Sequence, residues 1–302
     1  MIKIPTVFIV GAGASKPYGF PIGRELVTLI CNNLINDQSR YFKQLYDLEH
    51  YNRSDILGFR NQLLYSGKGS VDAFLEHRKN CIQIGKYAIA QVLIEFEDSQ
   101  KLFVKGDWYQ YLYEKLNTSF EEFDQNKIGI ITFNYDRSIE HYLFKALKNS
   151  YGKSDEECAS KIKNIPIIHV HGQLGYLPWQ DKPAREYKRE SRDVINAISI
   201  AASGIRIIHE DINVNEDELF IAAHSLLRGA ERIYFLGFGY NETNVKRLSI
   251  PRGKFLQGTS YNLENAEIQD VNRIFQPYGY NNILVGDKNK DSLLFIRSFI
   301  LF

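Results

Sequence analysis

The sequence predicts an α/β protein, a parallel doubly wound sheet that carries a large helical insertion. Three observations predict it. Four apolar residues, Val7, Phe8, Ile9 and Val10, run straight into a loop containing Gly11, Gly13 and Gly19. Nearly 100 residues almost free of strand signals follow, from Arg24 to about Phe120. From Lys127 onward, short β-branched runs alternate with helical stretches, the signature of buried parallel strands.

The first run reads as a buried strand whose carboxyl end turns sharply, with a helix from about Gly23. At such a turn the backbone can approach a phosphate, and the next helix N-terminus supplies N–H groups for it. Spacing excludes the two commonest nucleotide loops. Lys16 stands where the dehydrogenase pattern needs a third Gly, and no window offers the Gly-Lys-Ser/Thr of a Walker A loop.

Leu26, Leu29, Ile30 and Leu34 form one apolar stripe, and Tyr41, Phe42, Leu45 and Tyr46 another. Ser54-Asp55 is expected to cap a third helix carrying Ile56, Phe59 and Leu63. Ser70 is placed as N-cap before Val71, Phe74 and Leu75, and a long helix is expected from Cys81 to about Phe96. This is too much helix for a single crossover, so residues 24–120 read as a helical subdomain inserted in one domain spanning 1–302.

Later strands are expected at residues 128–133, 165–170 and 233–236, with weaker ones at 259–263 and 282–285. Helices are expected around Ile139, Tyr142, Leu143 and Leu147, near Glu242, and at about 264–275 and 290–300. Residues 173–190 are polar, aromatic and irregular, and read as a surface excursion or lid. The charged run at 182–192 has both signs and reads as a solvated face.

Composition bounds the function classes. With 302 residues, 44% of them hydrophobic, 24% charged and a net charge of +1, the chain has an ample core and no basic bias toward nucleic acid. Direct nucleic-acid binding is therefore not expected. Cys31, Cys81 and Cys158 form no CxxC pair, which argues against a zinc knuckle or disulfide framework and for buried thiols in a reducing compartment. No apolar stretch approaches the roughly 20 residues of a membrane span, and the apolar part of MIKIPTVFIV is too short for a signal sequence. The cytoplasm is the expected location.

In an open parallel sheet, ligands bind beyond the carboxyl ends of the strands. Four strands end in Gly11-Ala12-Gly13-Ala14-Ser15, Asn134-Tyr135-Asp136, His171-Gly172 and Gly237-Phe238-Gly239-Tyr240-Asn241. Glycines, an amide, a carboxylate and an imidazole would thus meet on one edge. His169 and His171 lie two apart in a strand and would share a face, a spacing that also permits a metal site, although no third ligand is evident.

GAGAS with Gly19-Phe20-Pro21, then TFNYD, HVHG and LGFGYNETN, resembles the sirtuin-like family, whose motifs occur in this order. The SVDAFL stretch at 70–75 resembles a further motif of the family's bacterial antiphage-defence branch. The resemblance implies a Rossmann-like six-stranded sheet with NAD⁺ bound as substrate and no metal. It also implies a homo-oligomer, and control by a partner such as a HerA-type hexameric ATPase or an Argonaute. The four-cysteine zinc module of the family's deacylases has no counterpart here, which favours NAD⁺ hydrolysis to nicotinamide and ADP-ribose over deacylation.

By the same resemblance Asn134 would position water and bond a ribose hydroxyl, His171 would act as general base, and Asp136 would bond the ribose or stabilise developing charge. Gly11, Ala12, Gly13 and Ser15 would hold the pyrophosphate, Gly237, Gly239 and Asn241 the adenosine half, and Ala14, Pro21 and Asp72 would join the cofactor site. Lys16 and Arg24 are candidate charge partners. Simpler readings stay open: Asn134 as a helix cap, Asp136 as a first-turn acid, His171 as a core histidine, and the whole chain as a deacylase or a non-catalytic NAD or ADP-ribose sensor.

Overall fold

Alternation along the first strand decides the layers. Val7 and Ile9 face one core and Phe8 and Val10 face another, so the strand is buried on both sides. The structure, a computed structural model, describes residues 1–49, 51–104, 106–188, 193–208 and 212–300. Its six strands are β1 (Thr6–Val10), β2 (Ile128–Thr132), β3 (Ile167–His169), β4 (Arg232–Leu236), β5 (Phe255–Thr259) and β6 (Leu284–Val285). They pair in parallel in the order β3-β2-β1-β4-β5-β6, a Rossmann-like sheet of the predicted class.

The strand order reverses at β1, which lies between β2 and β4. Register makes the ends level: Val10 pairs with both Thr132 and Leu236, and Thr132 pairs with His169. The chain therefore leaves β1, β2, β3 and β4 side by side, at the switch point where such sheets bind ligands.

The insertion between β1 and β2 comprises helices Gly23–Asn33, Arg40–Glu49, Arg53–Tyr65, Val71–Leu75, Ile82–Ile94, Ser99–Val104 and Trp108–Lys115. Its buried residues share one core with Phe8, Val10, Ile130, Tyr234 and Leu236, so it covers one face of the sheet. Helices Glu218–Gly229, Glu242–Leu248 and Asn265–Phe275 cover the other. Among the described residues, no helix is long and apolar enough to cross a membrane. The three cysteines are buried and free.

Several local expectations are corrected. The third helix is capped by Asn52, which exchanges reciprocal hydrogen bonds with Asp55, and Ser54 lies inside it. The fifth strand lies at Phe255–Thr259, four residues earlier than expected, because Gly258 weakens the apolar pattern; a Cβ there would sit 2.2 Å from the Tyr240 hydroxyl. Helices Asp155–Lys163, Val194–Gly204 and Glu218–Gly229 carry no counterpart in the sequence reading.

The 173–190 stretch is anchored where it is described. Arg137, with no exposed surface, donates to the carbonyls of Gly175, Tyr176, Arg185 and Glu186 and forms a two-pronged ion pair with Glu97 at 2.9 Å. Arg185 joins the same carboxylate at 2.7 Å. Buried cations need such partners. Of the charged run, residues 189–192 lie outside the described residues.

Candidate functional site at the carboxyl edge of the sheet

The first loop is built by close approach of backbone to backbone. After β1 the chain makes a helical turn, Ala12–Ser15, and a 3₁₀ turn, Lys16–Tyr18. Gly11 N–H donates to Leu236 O at 3.0 Å and Gly13 N–H to Gly237 O at 2.9 Å. Gly237 has φ +54, and a Cβ on it would lie 2.1 Å from Ala14 N. These three glycines are required because the β1 and β4 loops touch. The amides of Gly11, Gly13 and Ala14 are already engaged within the fold, the last with Gly11 O at 3.0 Å.

Aromatic residues of the insertion hold this loop from behind. Trp108, completely buried, donates its indole N–H to Ala14 O at 2.8 Å. Tyr109 N–H donates to the Tyr18 hydroxyl at 2.9 Å, and the two rings stack with centroids 4.0 Å apart. Lys16 is paired with Glu25 at the surface.

Asn134 sits just beyond β2 and faces this loop. Its side-chain nitrogen donates to Gly11 O and to Ser15 Oγ, each at 3.0 Å. Its own N–H donates to Thr132 Oγ1 at 3.0 Å. Both amide hydrogens are thus committed, and its side-chain carbonyl is the group left to accept from a water or a ribose hydroxyl. The helix Ser138–Tyr151 starts four residues later, so Asn134 does not cap it.

Asp136 is a buried junction. One oxygen accepts from Ser15 Oγ at 2.8 Å, and the other accepts from Ser138 N–H at 3.2 Å and from the Ser138 hydroxyl. Burial holds its carboxyl above the ordinary carboxylate range, against the opposing effect of these bonds. Each oxygen thus has a partner within the fold, and the Ser15 hydroxyl also accepts from the Asn134 amide. Ser15, 2% exposed, is the link between them.

His171 lies two residues past β3 and is buried. Gly172, at φ +73, turns the chain at once, and a Cβ there would lie 2.0 Å from Gly204 O. His171 Nδ1 is 3.8 Å from Asp72 Oδ1, and Nε2 is buried without a hydrogen-bond partner among the described residues. Its ring packs edge-on against Phe133 with centroids 5.3 Å apart, and Phe133 packs against Phe238 at 5.0 Å. Asp72 arrives on the helix Val71–Leu75, capped by Ser70 as expected, and accepts from the Tyr135 hydroxyl. Burial pushes Asp72 up, yet His171 and Tyr135 outweigh it and hold its carboxyl below the ordinary value.

The two strand-end histidines have different partners, because β3 ends at His169 and His171 lies in the turn that Gly172 N–H closes on His169 O at 3.0 Å. His169 Nδ1 lies 2.9 Å from Asn134 O and Nε2 lies 2.5 Å from Glu140 Oε1. Burial lowers the pKa of His169, but the Glu140 carboxylate and the bond to Asn134 outweigh it and raise it above the ordinary histidine value. Among the described residues, no three His, Cys, Asp or Glu groups cluster as a metal site.

Asn241 is exposed and caps Glu242–Leu248 by accepting from Asn244 N–H at 3.2 Å. Gly239 has open space where a Cβ would stand. Pro21 is half-buried two residues before the helix Gly23–Asn33, and Ala12 and Gly13 are partly exposed. Three surface cavities, of about 930, 950 and 520 Å³, are lined by other residues.

Sequence reasoning missed Trp108, Tyr135 and Glu140. A Trp-Tyr pair directly after the capping residue Asp107, and an acid one helical turn after Asp136, were the signals available. No family model matches the chain, and no curated protein matches it.

Proposed function

We propose that this chain hydrolyses NAD⁺ to nicotinamide and ADP-ribose. The observation that carries the proposal is His171 Nε2, a buried imidazole nitrogen without a partner among the described residues, on a ring whose other nitrogen faces Asp72. It stands at the carboxyl edge of a Rossmann-like sheet, two residues past β3, which adjoins the strand that leads into Asn134. An unoccupied basic nitrogen oriented by a carboxylate is what a general base requires.

Cleavage breaks the bond between nicotinamide and ribose C1′ through an oxocarbenium-like transition state, and water supplies the new C1′–O bond. The Asn134 side-chain carbonyl orients that water or a ribose hydroxyl, and His171 Nε2 takes the proton released. The Asp72 carboxylate, 3.8 Å from Nδ1, favours a hydrogen on that nitrogen by its charge, and the Tyr135 hydroxyl holds Asp72. Ser15 and Asp136 hold Asn134. The β1 loop and the Gly237–Asn241 loop flank the switch point and would take the two halves of the dinucleotide.

The order and content of the four motifs support placing this activity in the sirtuin-like antiphage-defence branch, as a homo-oligomer that depletes NAD⁺ under control of a HerA-type ATPase or an Argonaute. The test is chromatography of NAD⁺ incubated with the purified chain, alone and with either partner. Equal release of nicotinamide and ADP-ribose without any acyl-peptide is expected. Dependence on acyl-lysine peptide would establish the deacylase instead, and binding without turnover under all conditions the sensor.

A further inference from the structure

We propose that Glu140 and His169 form a buried positioning pair that fixes Asn134 for the hydrolysis assigned above, and the proposal rests on that reading of the site. Glu140 is 1% exposed and His169 6%. They join the helix Ser138–Tyr151 to the end of β3, and His169 bonds the backbone oxygen of Asn134 at 2.9 Å.

The chemistry of the two bonds constrains the proton count. A backbone carbonyl only accepts, so His169 Nδ1 carries a hydrogen. At Nε2, the 2.5 Å contact holds one proton between imidazole and carboxylate, written either as imidazolium with carboxylate or as neutral imidazole with carboxylic acid. The bond to Asn134 survives in both forms. An apolar residue at 169 removes the donor, and one at 140 removes the group that fixes the ring and its Nδ1–H tautomer.

Asn134 is then held at its N–H by Thr132, at its C=O by His169, and at both side-chain hydrogens by Gly11 and Ser15. Every group but the side-chain carbonyl has an assigned partner. Without the Glu140–His169 pair the backbone carbonyl is released, and the peptide that aims the side chain can rotate. A displacement near 1 Å at a reacting group costs about 100-fold in rate. A buried ion pair is weak support for folding, since apolar residues of similar volume often serve as well. Its bond to the backbone of Asn134 gives this pair a role beyond packing.

The test compares Glu140→Leu, His169→Leu and Glu140→Gln in the full chain, with Asn134→Ala and His171→Ala as controls. Glutamine can donate to Nε2 while His169 keeps Nδ1–H on Asn134, so Glu140→Gln is expected to stay within about threefold of the parent kcat. The leucine variants are expected to lose kcat by about tenfold or more with KM within about threefold. If they do not fold, His169→Asn, too short to reach both partners, takes their place. Folded variants with the parent kcat overturn the proposal, as does a loss in Glu140→Gln equal to that in Glu140→Leu.

A second readout needs no NAD⁺. The side-chain amide resonances of Asn134, assigned by their absence in Asn134→Ala, are expected to shift or broaden in the leucine or His169→Asn variants and to stay in place in Glu140→Gln. Unmoved resonances throughout overturn the positioning role. If the parent chain and its controls show no NAD⁺ hydrolysis at all, the functional reading fails, and these resonances alone decide the positioning pair.

Discussion

Ser15 donates its hydroxyl hydrogen to Asp136 at 2.8 Å, joining the first loop of the fold to a residue 121 positions later. The same oxygen accepts from Asn134, so one small side chain ties the glycine loop to the end of β2. Ser15→Ala leaves an oxygen of a buried carboxylate and an amide hydrogen unpaired. A loss of about 1–3 kcal/mol in urea unfolding is expected, together with a fall in NAD⁺ turnover. Ser15→Ala with parental stability and parental turnover would show that the link is dispensable.

Asn134→Ala and His171→Ala are expected to lower NAD⁺ turnover by about 100-fold or more, and Asn134→Ala, which leaves Gly11 O and Ser15 Oγ without its two bonds, to lose about 1–3 kcal/mol of stability as well. Asp72→Asn weakens the orientation of His171 and is expected to reduce kcat more than KM. Steady-state kinetics with nicotinamide as the measured product check all three.

Gly237→Ala forces a left-handed backbone on alanine and places a Cβ 2.1 Å from Ala14 N. A destabilisation of about 3 kcal/mol is expected. Gly239→Ala, with open space at that position, serves as the control and should unfold at nearly the parental denaturant midpoint.

His141 gives the stability a defined pH dependence. It is 7% exposed, contacts Ser99 Oγ at 2.6 Å and stacks on Tyr187 at 4.2 Å. Burial, aided by Lys145 and Arg137, pushes its pKa down to about 3. The unfolded chain therefore binds a proton here at pH values where the native one does not. Stability contributed by the neutral ring is complete above about pH 6.5 and falls as the pH drops toward about 3, by about 2 kcal/mol at pH 5. In urea titrations His141→Gln should show a shallower loss between pH 6.5 and 5; an unchanged slope would exclude His141 as its source.

Arg137→Met removes four hydrogen bonds to loop carbonyls and half of the ion cluster on Glu97. A loss of about 3 kcal/mol or more is expected. Proteolysis should then cut within 173–188 faster than elsewhere, whereas an unchanged cleavage pattern would mean that other contacts hold the stretch.

Patterns that repeat within one element could be read from the chain alone. The alternation of apolar strands with helices, the ~100-residue helical insertion and the Ser70 cap depend on neighbours a few residues apart, and the folded chain has all three. The edge at which the loops meet also follows from the class of sheet. Strand limits at β3 and β5 were misplaced because pairing there is decided by contacts such as Gly258 against Tyr240, which leave no local pattern.

What each site residue touches was decided by the tertiary structure. The sequence determined that glycines, Asn134, Asp136 and His171 leave the sheet at one edge, because parallel strands in register end level. It could not show that the glycines serve contact between the β1 and β4 loops, that Ser15 bridges Asp136 and Asn134, or that the two histidines turn to different partners. Those relationships join residues 29 to more than 100 positions apart, and at such separations packing and hydrogen-bond satisfaction select the partner while local sequence periodicity carries no record of it.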